Sequence, residues 1–585
     1  MTFVPTVNEH ITDEPKKDLS QTILREMQKM IEVREDYEVG LWEPIGRFLN
    51  IRREDIRGDR KDERKGKKFG GSVYDGTPIS ALNTWADGMQ GFLVSESLTW
   101  FRTELDDPFL NDNDEIREFL QEYDRAMYSA FRRGNLYSVL GEYFRDAGSI
   151  GTATIFTEED VSRGASAHVV VHPREIFINE NKFGEVDTVY RRFKMTARQA
   201  VQRFGFENVS DKIQTDAKNS PNESPFKQHE FIHAVFPNTD RHVGKVNSTN
   251  KIFRSVYMEA QTSGANTGSG IAHVTSDSGF DFNPYAVWRF SKMSDELYGR
   301  SPAADALTEI ISLNQLGKTM LEAAQKSVQP PLNIPGEMRG RVRMTPDGHN
   351  YYEDPARIIK PINSGVNYPI GIDQQERLQK VLEDKYRVQF FLSLQRSTRE
   401  MTATEIIARQ SEQAVLMGPQ TDRLFDEGIK RIFDIVAFIE ERAGRLPTPP
   451  DALVAEVEKR QERKQTPLGI NLNLTGPLAQ AQKRLFVIAP IQNTINELAP
   501  LAAIKPEVLD VIDFDELSEI IVEAGSFPQK AINSKDRRQE IRDKRELAQQ
   551  QAQAQQQLQA MAEQVPNLSK TPEPGSPAEA IGEAI

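Results

Sequence analysis

The amino-acid sequence predicts an α+β protein that is mainly helical. Three observations lead to this prediction. Long segments near both ends of the chain carry apolar residues at helical spacing, the middle contains short β-branched and aromatic segments, and the C-terminal stretch is rich in the helix formers Gln, Ala and Glu. Because 585 residues are too many for one hydrophobic core, we expect about two to four domains.

Composition restricts the classes of function. The chain has no cysteine, which excludes disulfides and thiolate chemistry and is compatible with a reducing cell interior. A formal net charge of −14 argues against general adhesion to nucleic acid, although it is compatible with a local basic element. The N-terminal residues have no apolar signal-peptide region, and no run approaches the ~18 apolar residues of a membrane helix.

The N-terminal part begins with helices. Apolar residues at helical spacing predict a helix within residues 19–49, and further helices are predicted over 77–93, where Pro78 suits a first helical turn, and over 114–146. Between the first two lies a charged segment, 52–68, with nine Lys or Arg against five acids. This segment is either a solvated loop or an arm that contacts phosphates.

Residues 150–292 predict a mixed β-sheet region. Six short segments there are β-branched and aromatic and are bounded by Gly, Asn, Asp and Pro. Thr196 and Gln199 have the spacing of a capping box, which predicts one short helix inside the region. Residues 262–279, with the sequence TSGANTGSGIAHVTSDSG, predict a mobile insertion.

A long helix is predicted over residues 301–329. Ser301 suits its N-cap, Pro302 its first turn and Pro330 its end, and the resulting rod would be roughly 40 Å long. Its apolar face is sparse and consists of Leu307, Ile310, Ile311, Met320 and Leu321.

The chain then continues through a Pro- and Gly-rich segment, 332–371, which predicts a small β-rich module, and a second helix over 373–394. After a short polar loop, Thr402 and Glu405 form a capping box and begin a further helix. Gly418-Pro419 predicts a kink in that helix.

The C-terminal part is again helical. Helices are predicted within 477–524 and over 534–564. The second of these is Gln-rich, and its apolar residues are only loosely heptad-like: Ile541, Ala548, Ala552 and Leu558. Such a helix needs neighbours to be stable in water, and copies of itself could supply them. The composition of residues 565–585 predicts disorder.

Two short motifs resemble metal-binding or nucleotide-binding signatures. His229, Glu230 and His233 fit H-E-x-x-H, but the surrounding residues are β-like, and on a strand the two His residues stand ~13 Å apart, too far for one metal ion. Residues 316–319, LGKT, lie inside a predicted helix, and position 312 is Ser where a phosphate-binding loop needs Gly. We therefore predict no catalytic residue, no metal site and no cofactor. A zinc hydrolase is the alternative that the His pair leaves open.

The order of elements indicates assembly. Two long helices bracket a small module, and a helix with a narrow apolar stripe cannot bury itself within its own chain. Lateral packing against neighbouring copies would cover the stripe, and head-to-tail packing that closes on itself makes a ring.

Three stretches are informative in combination: YGRSPAADALTEIISLNQLGKTMLEAAQKSVQPPL from Tyr298, REMTATEIIARQSEQ from Arg399 and LTGPLAQAQK from Leu474. With them the sequence resembles the portal, or head-to-tail connector, proteins of tailed bacteriophages, particularly the short-tailed kind. The resemblance covers roughly residues 20–530. It implies a portal fold and a dodecameric ring at one capsid vertex, through which double-stranded DNA is packaged and ejected.

The resemblance also implies a division of the chain. By position, the implied parts are a wing (1–295), two stem helices (296–329 and 373–394) around a clip (330–372), a tunnel loop (395–401), a kinked wing helix (402–444), a crown (445–530), a barrel-like C-terminal helix (531–564) and a disordered tail (565–585).

Residue roles are implied in the same way. The tunnel loop would bring Gln395, Arg396, Ser397, Thr398 and Arg399 to the DNA channel, above the cap formed by Thr402 and Glu405. The clip would offer Arg339, Arg341 and Arg343 to terminase or to the tail. The alternative for Arg396 and Arg399 is ion pairing with Glu400 or with acids of a neighbouring subunit. An acidic protein with only a few basic side chains near the channel suits DNA that must slide, because every phosphate contact has to be broken on each step.

The implied partners are the other copies of a homo-dodecamer, major capsid and scaffolding proteins, terminase, tail adaptor or tail proteins, and double-stranded DNA bound without sequence specificity. No membrane is involved. The implied location is the virion, at a capsid vertex, after assembly in the host cytoplasm. The alternative function is that of another ring-forming virion protein, such as a tail adaptor or an internal core protein.

Overall fold

The computed structural model describes residues 13–56, 71–111, 113–218, 224–242, 247–260, 272–343, 345, 348–351, 354, 358–362, 368–395, 417–462, 469–476, 483–525, 533 and 535–564. The chain divides into two compact units. The first comprises Met1–Glu104, Leu120–Thr448 and Asn471–Pro490, and the second comprises Leu105–Phe119, Pro449–Ile470 and Ile491–Ile585.

Helices dominate the described residues, in agreement with the α+β, mainly helical prediction. In chain order they are α1 (Asp13–Tyr37), α2 (Glu43–Phe48), α3 (Thr77–Leu93), α4 (Pro108–Asn111), α5 (Asp114–Arg133), α6 (Leu136–Ile150), α7 (Ala197–Phe204), α8 (Asp211–Ala217), α9 (Pro302–Asp305), α10 (Leu307–Val328), α11 (Tyr368–Lys385), α12 (Val388–Gln395), α13 (Gly418–Arg423), α14 (Lys430–Arg442), α15 (Asp451–Glu462), α16 (Ala489–Ile504), α17 (Phe514–Ala524) and α18 (Lys535–Gln564). None of the described helices is long and apolar enough to cross a membrane.

The strands lie mainly in the middle of the chain. They are β1 (Phe101–Leu105), β2 (Thr152–Asp160), β3 (Ala165–Val171), β4 (Ile176–Glu180), β5 (Val186–Thr196), β6 (Gln228–Pro237), β7 (Phe253–Glu259), β8 (Val274–Phe280), β9 (Tyr285–Arg289), β10 (Leu332–Asn333), β11 (Lys360–Pro361) and β12 (Ile470–Leu474).

Two antiparallel sheets form the centre of the first unit. One has the strand order β3-β2-β9 and the other the order β4-β5-β6-β7-β8. Every pairing in these two sheets is antiparallel, so the prediction of a mixed sheet was wrong in this respect. Short connections between successive strands allow this, because antiparallel neighbours need no crossover helix.

The five-stranded sheet is covered on both faces. Alternation along β6 sends Ile232 towards α1, where it joins Ile23 and Met27 in one core cluster. Its neighbour Phe231 points the other way and packs with Ala200 and Ile213, which belong to α7 and α8. The predicted capping box at the start of α7 is confirmed, since the Thr196 and Gln199 side chains each bond the other's backbone N–H.

The predicted insertion over 262–279 is partly wrong. Its last residues form β8, which pairs with β7. The polar composition of the segment hid the strand, but the Arg254 guanidinium pairs with the Asp277 carboxylate across the ladder at 2.9 Å. Polar pairs of this kind suit the edge of a sheet, where one side of the strand faces water.

Helix ends were predicted correctly where local residues set them, and breaks within helices were missed where tertiary contacts set them. The helix predicted over 77–93 is α3. The predicted 114–146 helix is wrong in its continuity, since α5 ends at Arg133 and α6 begins at Leu136. At the break, a Cβ on Gly134 would lie 2.8 Å from the Ser166 carbonyl oxygen, so β3 approaches where only glycine fits.

The two long helices of the second half are also interrupted. Ser301 is the predicted N-cap, but Ala306 separates a first turn, α9, from α10. The helix predicted over 373–394 starts earlier, at Tyr368, and breaks into α11 and α12 at Arg387. The β-rich module predicted over 332–371 contains, among its described residues, one ladder of two residues per strand, β10 with β11.

The helix that follows is described from Gly418. Gly418-Pro419 lies in the first turn of α13, a wider π-helical turn spans Leu424–Ile429, and α14 ends before Gly444, whose φ is +66°. The capping box of Thr402 and Glu405 lies outside the described residues, and so does the helix around it up to residue 416.

In the second unit, the predicted helices within 477–524 and over 534–564 correspond to α16, α17 and α18. The Arg542 guanidinium on α18 pairs with the Asp515 carboxylate on α17 at 2.5 Å, and Arg538 pairs with Glu519. These contacts join the charged first half of α18 to α17.

Candidate functional site

Helices α10 and α11 pack along each other. In the sequence, α10 precedes and α11 follows the small module at 330–362. They approach closely at Gly371, where a Cβ would lie 2.4 Å from the Met320 sulfur. Glycine therefore lets the two helices approach near the module. The residues LGKT lie within α10, as the sequence predicts.

The base of this pair of helices is fixed to α6. The Ser301 hydroxyl donates to the Ser149 carbonyl at 2.6 Å and accepts from the Ala304 amide at 3.1 Å. The Tyr386 hydroxyl, fully buried, donates to the Gly148 carbonyl at 2.9 Å. Ser301, which caps the short helix α9 before α10, and Tyr386, the residue after α11, therefore bond adjacent carbonyls of α6 and hold the bases of the two helices in one position.

A segment just before α3 crosses the same base. The Asn314 side chain bonds this segment twice, accepting from the Tyr74 amide at 2.7 Å and donating to the Ser72 carbonyl at 2.9 Å. One carboxylate oxygen of Asp75 accepts from the side-chain amides of Gln375 (2.9 Å) and Gln379 (3.0 Å). Burial raises the pKa of Asp75, but hydrogen bonds from Thr77 and then from these two amides outweigh it and lower the pKa, so the carboxylate stays ionised and all its acceptors stay available.

Away from the base, the same two helices expose apolar side chains. Leu321 is 50% exposed and Val328 81% exposed on α10, and Ile370 is 65% exposed on α11. Towards the base, Ile310 and Leu313 are buried. Of the apolar stripe predicted from the sequence, Ile310 is buried, whereas Ile311 (41% exposed) and Leu321 are not covered by the chain itself.

The module between the helices carries three predicted site residues. Arg339, Arg341 and Arg343 are all exposed, and none is ion-paired to an acid in the described part of the chain. The Asn350 side chain accepts from the Arg343 amide at 2.7 Å and donates to the Arg343 carbonyl at 2.9 Å. This pair of bonds resembles the bonds to a neighbouring strand and holds the backbone at Arg343.

Comparison with known proteins identifies the family of this chain. The model of the family described as bacteriophage head to tail connecting protein matches residues 20–532. The chain belongs to this family. Among its relatives, the portal protein of Salmonella phage epsilon15 is 27% identical over 572 residues, which cover 94% of this chain and 95% of the relative. The probable portal protein of Bordetella phage BPP-1 is 26% identical over 470 residues, which cover 78% and 79% of the two chains.

The predicted tunnel-loop residues are described only at their start in this connector protein. Gln395 is the last residue of α12. Arg396, Ser397, Thr398 and Arg399 lie outside the described residues. The structure therefore fixes the helix that leads into the loop, and the roles of the loop residues stay predictions.

A buried arginine that the sequence analysis missed holds three elements of the connector together. Arg289, at the end of β9, is 0% exposed. Its guanidinium pairs with Glu427 in the π-helical turn at 2.7 Å and with Glu180 of β4 at 2.9 Å, and it donates to the Gly184 carbonyl at 2.8 Å. These carboxylates raise the pKa of Arg289 against the effect of its burial. No local pattern marks this residue, since its partners are distant in sequence.

The H-E-x-x-H residues lie on strand β6, as the sequence predicts, and each has its own partner. His229 Nε2 lies 3.0 Å from the Asp216 carboxylate, and Glu230 pairs with Arg192 at 2.8 Å. His233 is buried between the sheets, 2.6 Å from the Tyr285 hydroxyl and 3.0 Å from the Ser255 hydroxyl. Burial lowers the pKa of His233 well below its ordinary value. Over the described ranges, no group of three His, Asp or Glu side chains could hold a metal ion.

Proposed function

We propose that this connector is a portal protein, whose copies form a dodecameric ring at one capsid vertex. Double-stranded DNA would enter and leave the capsid through the ring. The observation that carries the ring is the half-covered pair of helices, α10 and α11. Their bases are fixed to α6, while Leu321, Val328 and Ile370 present apolar surface that the chain itself does not cover. Neighbouring copies arranged head to tail would bury this surface, and closure limits their number.

The same proposal divides the chain by role. Residues 1–295 form the wing, with the kinked helix 402–444. Residues 296–329 and 373–394 form the stem, 330–372 the clip, 395–401 the tunnel loop, 445–530 the crown and 531–564 a C-terminal helical barrel. Support for this division comes from the order of the elements along the chain.

The proposed partners follow from this position. The ring would contact capsid and scaffolding proteins at its rim, terminase during packaging and tail proteins afterwards. Its place is the virion, after assembly in the host cytoplasm. The exposed Arg339, Arg341 and Arg343 would meet terminase or the tail, because guanidiniums that have no acidic partner among the described residues suit an acidic protein surface. Gln395 to Arg399 would lie at the channel and touch DNA without gripping it.

Electron microscopy of the purified full chain tests the proposal. We expect rings with a central channel and twelve copies, counted from symmetry in averaged images. Monomers or open filaments at every salt concentration would contradict it. Packaging by capsids that carry the ring then separates a portal from a tail adaptor, since only a portal is needed before DNA enters.

A clip variant tests the assignment of the arginines. Replacing Arg339, Arg341 and Arg343 by Ala should leave the rings intact and abolish terminase-dependent packaging. The matched control replaces three other exposed arginines, Arg163, Arg198 and Arg241, and should package normally. If both triple variants package equally well, the clip arginines do not contact the motor.

A further inference from the structure

Helices α11 and α12 are separated by a bend that the local sequence does not encode. The stretch VLEDKYRVQFFLSLQ, which ends at Gln395, contains neither Gly nor Pro. Its residues favour one continuous helix. Nevertheless Arg387 has a φ of +52°, and among the described residues no other non-glycine residue has a positive φ. A side chain with a Cβ is strained in this left-handed conformation.

Backbone hydrogen bonding at the bend is poorer than in a continuous helix. The Tyr386 amide still bonds the Leu382 carbonyl at 3.1 Å, as in a regular helix. The next amide, that of Arg387, turns to the carbonyl of Asp384 at 3.1 Å, three residues back. The Phe390 amide bonds the Arg387 carbonyl at 3.0 Å, where a continuous helix would use Tyr386. Neither propensity nor backbone bonding therefore explains the bend.

Side-chain packing on α3 explains it. Phe391 is 1% exposed, and its ring occupies the space that a side chain at position 88 would fill, since a Cβ on Gly88 would lie 2.3 Å from Phe391 Cδ1. The Phe391 ring also stacks on Phe92, with 6.2 Å between ring centroids. On the other side of the bend, Tyr386 is bonded to Gly148. With both flanks fixed separately, the residue between them takes up the strain.

We propose that the joint between α11 and α12 is a hinge with two states. In the docked state, seen here, Phe391 packs at Gly88 and Arg387 is left-handed. In the released state, Phe391 leaves Gly88, Arg387 returns to right-handed helical geometry, and α11 and α12 form one continuous helix. The local sequence favours the released state and the tertiary contacts favour the docked state, which is the balance that a switch requires. The hinge does not depend on the proposed portal function.

Distance measurement between two spin labels tests the hinge. The chain has no cysteine, so Asp373→Cys and Gln389→Cys, both at exposed positions, give two unique label sites in the full chain. In a continuous helix these sites are about 24 Å apart along the axis, and in the bent state they are closer. Dilution with unlabelled chain removes distances between different copies. We expect the shorter distance to dominate in the parent and the longer one to rise in Phe391→Ala and in Gly88→Ala.

A matched pair at the joint isolates the backbone strain. Arg387→Gly and Arg387→Ala both remove the guanidinium, but only glycine removes the penalty of a positive φ. Combined with Phe391→Ala, the glycine variant should show about tenfold less of the longer distance than the alanine variant. Equal distance distributions for the two would overturn the proposal, as would a single short distance in both Phe391→Ala and Gly88→Ala. The same pair is also made with Phe391 unchanged, where only the exposed position 387 is altered, and there too the glycine variant should show less of the longer distance than the alanine variant, so the test does not depend on the core variants folding.

Discussion

Arg289 shows how much one buried charge can organise. Its guanidinium is removed from water and is neutralised by Glu427 and Glu180, and each carboxylate keeps a second cation, Arg423 at 3.1 Å or Lys292 at 2.5 Å. A buried charge network of this kind stabilises only while it is complete, because removing one partner leaves another charge desolvated. The network ties β9 and the β4–β5 turn to the π-helical turn.

Replacing Arg289 by Met should therefore destabilise the first unit by about 3–5 kcal/mol. The expected change is a lower urea midpoint with an unchanged slope. Glu427→Gln, which keeps the size of the side chain and removes only its charge, should cost less. If Arg289→Met costs no more than an exposed substitution such as Arg163→Ala, the network is not a structural support.

Buried histidines make stability depend on pH. Burial lowers the pKa of His168 to about 4 from the 6.5 of an exposed imidazole. Below pH 6.5 the unfolded chain takes up a proton that the folded chain does not, so this site lowers stability as the pH falls from about 6.5 to 4. Asp124 acts in the opposite sense, because burial raises its pKa to about 7, and its stabilising contribution is lost as the pH rises from 3.8 to 7.

A difference between variants isolates the histidine. His168→Gln keeps a polar side chain for the neighbouring Thr157 and Ser166 hydroxyls, each 3.0 Å from the imidazole. Between pH 6.5 and 4 the variant should lose less stability than the parent, as urea midpoints at four pH values would show. The exposed His242→Gln is the control and should follow the parent. Parallel profiles for parent and His168→Gln would contradict the prediction.

At the scale of elements, side chains close the edges of both sheets. Asn135 bonds the outer edge of β3, accepting from the His168 amide at 2.7 Å and donating to the His168 carbonyl at 2.8 Å. Arg34 donates to the Ile176 carbonyl of β4 at 2.8 Å and also stacks its guanidinium on the Phe177 ring. Covered edges of this kind discourage pairing with the strands of other chains.

Asn135→Ala should leave the His168 amide and carbonyl without these partners and cost about 1–3 kcal/mol. Asn135→Asp keeps the acceptor and loses the donor, so its cost should be intermediate. Urea midpoints give the order, and light scattering on heating shows whether the opened edge promotes aggregation. If alanine and aspartate cost the same, the two bonds do not act separately.

The elements also show what the sequence could predict. Caps and prolines are local, so α3, α7 and the start at Ser301 were predicted. β-Branched and aromatic composition between turn residues indicated six strand segments. Breaks at Gly134 and Arg387 were missed, because β3 and α3 impose them from a distance. The order of helices and module was enough to suggest assembly into a ring, and three sequence stretches carried the resemblance to connector proteins. The contacts of Asn314, Asp75 and Arg289 could not be predicted, because the partners of these residues are remote in sequence.

At the scale of the whole molecule, the exposed apolar side chains of α10 and α11 allow the stability of the single chain and the assembly of copies to be tested separately. Side chains that are exposed in the single chain contribute little to its own stability, and they contribute strongly wherever a neighbouring copy covers them. A charge introduced there should therefore block the ring without unfolding the subunit. The same charge on an exposed apolar residue outside the proposed interface should do neither.

Leu321→Asp combined with Val328→Asp is the variant that uses this difference. We expect its free energy of unfolding, obtained from urea titration, to match that of the parent measured as a single chain within about 0.5 kcal/mol, because surface substitutions have small effects. We expect its mass by light scattering to be that of one chain, and its micrographs to lack rings. Val161→Asp, at a 64% exposed position on the β2–β3 turn, is the control and should still form rings. Rings in both variants would place the subunit interface elsewhere, and a lowered midpoint in the double variant would mean that this stripe supports the fold of the single chain.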